Sequence, residues 1–153
     1  MLKKGLISAS LAALCFFSPV SFADIFVNGT GSCQNLAGKW HGEGKISATI
    51  LGVPLHCHYQ GNIVATTNDN QTFKIDIKLH KESGLGCPED ESMTKTAHCS
   101  NGTITITDDA NLYGSIYNND TEVSLNGTIK IYIKQLDKKI DANVDELNVK
   151  KNG

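Results

Sequence analysis

An all-β fold, built as an eight-stranded antiparallel up-and-down meander closed into a barrel, is the architecture this chain predicts, with a β-sandwich as the alternative. Three observations carry that expectation. Apolar residues recur with a period of two over most of the chain, the connections between these runs are only a few residues long, and no window holds a helical period of useful length.

The first strand shows the pattern at its clearest. From Trp40 to Ile50 the even positions are Trp40, Gly42, Gly44, Ile46, Ala48 and Ile50, whereas His41, Glu43, Lys45, Ser47 and Thr49 between them are all polar, as a half-buried strand requires. Odd positions turn inward next, at Leu55, Cys57, Tyr59, Gly61, Ile63 and Ala65, and again at Phe73, Ile75, Ile77 and Leu79. A weaker run spans Thr94 to Cys99. Ile104 with Ile106, then Leu112, Gly114 and Ile116, supply two short strands. The pattern closes with Val123, Leu125, Gly127, Ile129, Ile131 and Ile133, followed by Ile140, Ala142 and Val144.

Parity constrains the turns, because a slip of one residue would turn a whole apolar face to water. A loop through Leu51, Gly52, Val53 and Pro54 sets Ile50 opposite Leu55, Gly44 opposite Gly61 and Trp40 opposite Ala65. A loop over Asn68, Asp69 and Asn70 sets Ala65 opposite Phe73, and one over Asp108, Asp109 and Ala110 sets Ile106 opposite Leu112. Turns at Asn119-Asp120 and Asp137-Lys138 set Ile116 opposite Val123 and Ile133 opposite Ala142. Folding at Asn126-Gly127 would bring Val123 against Lys130, so Thr121 to Lys134 reads as one long strand. Closure into a barrel removes the exposed edges of such a meander, and Gly42, Gly44 and Gly61 give it places to bend.

The compartment is written at the start of the chain. Lys3 and Lys4, an apolar stretch from Leu6 to Phe17 and the small residues of Ser21-Phe22-Ala23 form an export signal over residues 1–23, of a bacterial type, with residues 24–153 as a single domain. The expected location is periplasmic or secreted. That apolar stretch is too short to span a bilayer, and no later run replaces it, so no membrane span is expected. Cys15, after Leu14 inside the signal, reads as signal core rather than as a lipid attachment site. In a bacterial setting the Asn-x-Ser/Thr triplets at Asn28, Asn70, Asn101, Asn119 and Asn126 read as turn composition. Removing Lys3 and Lys4 from the fourteen basic residues leaves twelve against sixteen acids, and the chain holds no Arg, which argues against a nucleic-acid partner.

Export makes disulfides the reading for Cys33, Cys57, Cys87 and Cys99, since no pair has the spacing of a metal hairpin. Strands that alternate up and down place Cys57 and the loop holding Cys87 at one end, and Cys33 and Cys99 at the other. The expected pairs are therefore Cys57–Cys87 and Cys33–Cys99, with a local Cys87–Cys99 bridge as the rival.

At its opening the first strand also carries a resemblance. Cys33-Gln-Asn-Leu-Ala-Gly-Lys-Trp40-His-Gly resembles the start of calycin-type barrels, the lipocalins and avidins, where a Gly-x-Trp begins the first strand. The resemblance implies an up-and-down barrel that binds a small molecule or a protein, with the Trp packed across the closed end. The chain departs from both patterns. Avidins ring their ligand with several Trp and this chain has one, and it has no Arg to pack on that Trp as lipocalins do.

Chemistry is sparse. The inward positions of these strands hold no Asp, Glu, Lys or His, and no phosphate loop, Ser elbow or triad spacing is present, so neither an enzyme nor a cofactor is expected. An eight-stranded barrel is either filled by its own side chains or holds one small ligand. The candidate ligand-binding residues are Trp40, Tyr59, Phe73, Ile75, Ile77, Leu112 and Ile131, with Tyr59 as the one polar handle. On the outer face, His58 opposite His80, with His56 opposite Glu82, form a candidate metal site for Zn²⁺ or Cu²⁺. Glu89-Asp90-Glu91 lacks the ligand spacing of a calcium loop and reads as a solvated turn.

Two functions fit. One is a lipocalin-like binding protein carrying a small, mostly apolar ligand. The other is a secreted inhibitor or effector-type interaction protein that binds a protein or glycan through its loops, the long connection from Lys81 to Ser92 above all.

Overall fold

The computed structural model describes residues 31–69 and 71–153; the expected export signal and Asn70 lie outside them. Eight strands follow in order: β1 (Gly38–Ile50), β2 (Val53–Thr67), β3 (Thr72–Ser83), β4 (Asp90–Ser100), β5 (Thr103–Ile106), β6 (Ala110–Tyr117), β7 (Glu122–Ile133) and β8 (Lys138–Lys151). Each pairs antiparallel with the next, and β1 pairs with β8 from Trp40↔Lys151 to Ser47↔Asn143, which closes the barrel and decides against a sandwich. The inward positions form one core, with Trp40, Phe73, Ile116 and Cys99 almost wholly buried.

The facing parity is the expected one, but three registers differ, each because of its turn. β1 and β2 are joined by two residues only, Leu51 at φ 49° and Gly52 at φ 79°. This is the turn geometry whose twist suits a hairpin. Ile50 therefore faces Val53, Gly42 faces Gly61, and Trp40 faces Ile63 rather than Ala65. Between β2 and β3, the Asp69 carboxylate accepts the amides of Gln71 at 2.8 Å and Thr72 at 2.7 Å, a local Asx turn that sets Ala65 opposite Ile75 instead of Phe73. Between β7 and β8 a single 3₁₀ turn, Lys134–Leu136, ends on Asp137 at φ 47° and makes a four-residue connection, so Ile133 meets Lys138 and Ala142 meets Ile129. The expected pairs Ile106↔Leu112 and Ile116↔Val123 are present, and β7 runs unbroken through Asn126-Gly127.

One feature of β8 follows from a bulge. Opposite β1, Glu146 pairs with Lys45 while Val144 pairs with Ile46, so one extra residue enters β8 at this point. The extra residue shifts the inward parity from even to odd, which carries Leu147 and Val149 into the barrel beyond Val144.

The two ends are unlike. At the end where the chain enters β1, Gly31 donates to the Ile116 carbonyl at 3.0 Å, Asp120 takes the Ser32 amide and the Asn35 side chain, and Cys33 is bonded to Cys99. Trp40 closes this end: its indole N–H donates to the Leu36 carbonyl at 2.9 Å, and the Lys151 ammonium lies 5.5 Å over its ring. Lys151 thus sets a cation over the face of the indole. The opposite end carries the β1–β2 turn, the β3–β4 loop, the β5–β6 turn and the β7–β8 connection, and there Cys57 is bonded to Cys87. Both disulfides are the expected pairs.

Candidate functional site

The interior is nearly filled. An apolar cavity of about 50 Å³ lies against Trp40, with Ile75, Ile77 and Leu112 in its wall. A second, of about 60 Å³, lies toward the open end, with Tyr59, Ile77 and Leu112 in its wall. Ligand pockets for ordinary small molecules run to several hundred Å³. Of the candidate ligand-binding residues, five line these two spaces, while Phe73 and Ile131 line neither. Phe73 is core, packed where β3 begins.

Tyr59 does not offer its hydroxyl to the interior. It donates to the Pro88 carbonyl at 2.9 Å and so ties the β3–β4 loop to β2; burial, with the Glu91 and Glu89 carboxylates nearby, pushes its pKa up to about 12. The same loop is held by Cys57–Cys87, by the Lys81 amide on the Glu89 carbonyl at 2.9 Å and by the Lys81 ammonium on Glu89 at 2.5 Å. The free part of this connection, residues 84–89, is accordingly much shorter than the stretch from Lys81 to Ser92 that lacks clear alternation.

Three charged residues of β3 and β4 fall on inward positions, and Lys151 of β8, opposite Trp40, does so at the closed end, contrary to the reading of an interior without ionisable groups. Lys81, Glu91 and Lys95 share the inward parity of β3 and β4, facing Tyr59, Leu79 and Ile75. All three are half-buried. The two lysine charges leave through the open end: Lys81 reaches Glu89, and Lys95 comes near enough to Asp109 to add to the larger effect of Lys139 in holding that carboxyl below its usual range. Burial raises the Glu91 carboxyl.

The proposed metal pairing is not formed. The shifted β2–β3 register places His80 opposite Gln60, and His58 opposite Ser83 across a bulge, with Glu82 no longer facing His56, which pairs with Ser47. His58 Nε2 lies 3.3 Å from Glu43, and His80 Nδ1 lies 2.7 Å from Asp90, whose hydrogen bond raises the imidazole pKa. His58 and His80 lie by different carboxylates, the His58 Nε2 without forming a hydrogen bond, and among the described residues no group of three or more His, Cys, Asp or Glu is placed to hold a metal ion. Glu89, Asp90 and Glu91 diverge likewise, toward Lys81, His80 and the barrel interior.

What sequence reasoning missed is the surface of the open end. Leu51 is 88% exposed and Leu85 is 95% exposed, with Val53 and Leu136 exposed beside them in the chain's turns at that end. The closed-end turns are polar: Asn68-Asp69, Asn101-Gly102 and Asn118-Asn119-Asp120. Leu51 is also conformationally out of place. Every other non-glycine residue with positive φ among the described residues is Asn or Asp, the types that tolerate this region, whereas a Leu there costs about 1–2 kcal/mol. A residue that is both strained and exposed points to selection for something other than folding. The available signal was the run from Ile46 to Asn68, which carries no Asp, Glu or Lys.

No helix of the described residues is long and apolar enough to cross a membrane. Comparison with protein-family models, with curated proteins and with solved structures finds no match to this chain.

Proposed function

We propose that this chain is an exported interaction protein of calycin-like build, in which the barrel is the scaffold and the open end is the working surface. The observation that carries the reading is that Leu51, Val53, Leu85 and Leu136, in three connections of the end pinned by Cys57–Cys87, are all exposed. Leu51 and Leu85, almost wholly in water, lose the stabilisation that burial would give them, about 1.5–3 kcal/mol each, and the partly covered Val53 and Leu136 lose less. Docking recovers it. Fixing the loop by a disulfide, Tyr59 and Lys81 lowers the ordering cost of binding, which is the use of preorganisation. Two disulfides fit the oxidising compartment that the expected export signal leads to.

The carrier reading draws less support, because interior spaces of about 50 and 60 Å³ hold only a few heavy atoms. Titration with a fluorescent anilinonaphthalene dye and with a long-chain fatty acid separates the two. No saturable uptake is expected. Stoichiometric uptake that disappears in Ala65→Phe, whose new ring would enter the cavity against Trp40, would overturn the scaffold reading.

A further inference from the structure

Outside the barrel, near its closed end, lies a cleft of about 330 Å³, within the range of ligand pockets and several times larger than either interior space. Two rows of outward side chains bound it. Register sets Tyr117 beside Glu122, Lys150 and His41 in one row, and Asn148 beside Glu43 and Gln60 in the other. Between the rows Gly42 pairs with Val149, whose side chain is buried inside, so the floor of the cleft is backbone. A Cβ at position 42 would lie 2.0 Å from the Asn148 carbonyl, so only Gly lets β8 press this close to β1.

The charges in the cleft balance, Glu43 and Glu122 against Lys150 and Lys151, and the Glu122 carboxylate lies 3.3 Å from the Lys150 ammonium. The Tyr117 hydroxyl donates to the same carboxylate, His41 Nδ1 is held 3.0 Å from Asn62 Oδ1, and the Gln60 amide has no side-chain partner among the described residues. Beyond Tyr117 the wall is uncharged. From Thr94 to Ser100 on β4, throughout β5 and β6, and from Ser124 to Thr128 on β7, no outward position is acidic or a lysine. β2 is the one other strand of this kind, and it lies between charged β1 and β3. In the middle of the uncharged field Tyr113 is 57% exposed, between Thr105 of β5 and Asn126 of β7. It stands four residues before Tyr117 on β6, about 13 Å along the strand.

We infer that this wall binds an extended, neutral, β-linked glycan, with one end in the cleft against Tyr117 and the chain continuing along β6 over Tyr113. A sugar ring offers hydroxyls that both donate and accept, and C–H faces that pack on an aromatic ring. Two amides, a carboxylate neutralised by its own lysine, and two Tyr spaced along one strand answer both features. An anionic ligand would meet Glu43 and Glu122 in the cleft. A protein partner would call for a broader apolar centre than one exposed ring among Thr, Ser and Asn. The site lies on the wall and does not depend on the open end being the working surface.

Titration of cellohexaose, xylohexaose and the β-linked hexamer of N-acetylglucosamine into the disulfide-bonded chain, followed by heteronuclear NMR, reads the result. With at least one of the three, the side-chain amides of Gln60 and Asn148 and the backbone amide of Tyr113 should shift saturably at millimolar sugar or below. Maltohexaose, whose α-linkages curl the chain, should bind more weakly. Gln60→Ala, at an exposed position, removes one hydrogen bond and should weaken binding about three- to tenfold. Tyr113→Ala should weaken the hexamer and leave the dimer of the same sugar unchanged, because only the longer chain reaches from the cleft to that ring. Leu51→Asn, which places a residue tolerant of positive φ in the turn at the open end, should bind the sugar as the wild type does. The spectra themselves show whether each variant is folded. The inference is overturned if none of the three hexamers shifts these resonances, if Gln60→Ala and Tyr113→Ala bind the hexamer unchanged, or if Tyr113→Ala weakens the dimer as much as the hexamer. Binding lost in Leu51→Asn would move the site to the open end, and shifts caused by heparin fragments but by no neutral hexamer would assign the cleft to an anion; either result overturns it as well.

Discussion

Trp40 is where the closed end is best tested. The residue is 2% exposed, faces Ile63 on one side and Lys151 on the other, and donates its indole N–H to the Leu36 carbonyl. Trp40→Ala removes on the order of 100 Å³ of ring beside a cavity that already exists, and at about 24 cal/mol per Å³ that alone is roughly 2–3 kcal/mol. Stranding the Leu36 carbonyl adds about 1–3 kcal/mol, so a total of about 3–6 kcal/mol is expected. Trp40→Phe keeps most of the ring and loses the donor, and should cost about 1–3 kcal/mol. His41→Ala, one residue on and facing water, should change stability by less than about 0.5 kcal/mol. Urea unfolding followed by far-ultraviolet circular dichroism gives all three values without relying on the indole signal. Losses below about 1 kcal/mol in Trp40→Ala would refute the argument that this ring seals the barrel.

The disulfides should differ by loop length: replacing Cys33 and Cys99 by Ala opens a separation of 66 residues and should cost about 4.3 kcal/mol, against about 3.6 kcal/mol for the separation of 30 between Cys57 and Cys87, read by denaturant unfolding. Tyr59 has its pKa raised from 10.0 to about 12, which favours the neutral phenol in the folded chain. Its contribution is therefore complete below pH 10.0, lost as pH rises through about 12, and absent in Tyr59→Phe, as phenolate absorbance and base unfolding together would show. Gly127→Ala should be severe, because a Cβ there would lie 2.0 Å from the Asn111 carbonyl at φ 133°, whereas Gly52→Ala, at φ 79° with open space around it, should cost only about 1–2 kcal/mol; thermal unfolding distinguishes them.

Period-two alternation made the barrel legible because each strand has one buried face, and parity alone carried the β5–β6 and β6–β7 pairings, whose turns are short and rich in Asn and Asp. Where a turn was set by something other than its apparent residues, register was lost. Leu51 hid the two-residue hairpin, since Leu is not a residue that marks positive φ, and the Asp69 side chain, not loop length, fixed β2 against β3. That second shift, by two residues, is enough to separate His58 from His80 while leaving every apolar face inward. Leu147 and Val149 escaped because the β8 bulge reverses parity without any Gly or Pro to mark it. Lys81, Glu91 and Lys95 escaped because a long side chain on an inward position near an open end can still put its charge in water. The apolar tip was in plain view as sequence, but alternation read it as a loop between strands and not as a surface.

Native mass spectrometry of the protein purified from its own host's export fraction bears most directly on a barrel that is scaffold and an end that is the interface. The bare mass of the chain with both disulfides formed is expected, with no small molecule carried. A chain that arrives with a stoichiometric apolar ligand, retained in Leu51→Asn and displaced by Ala65→Phe, would contradict it.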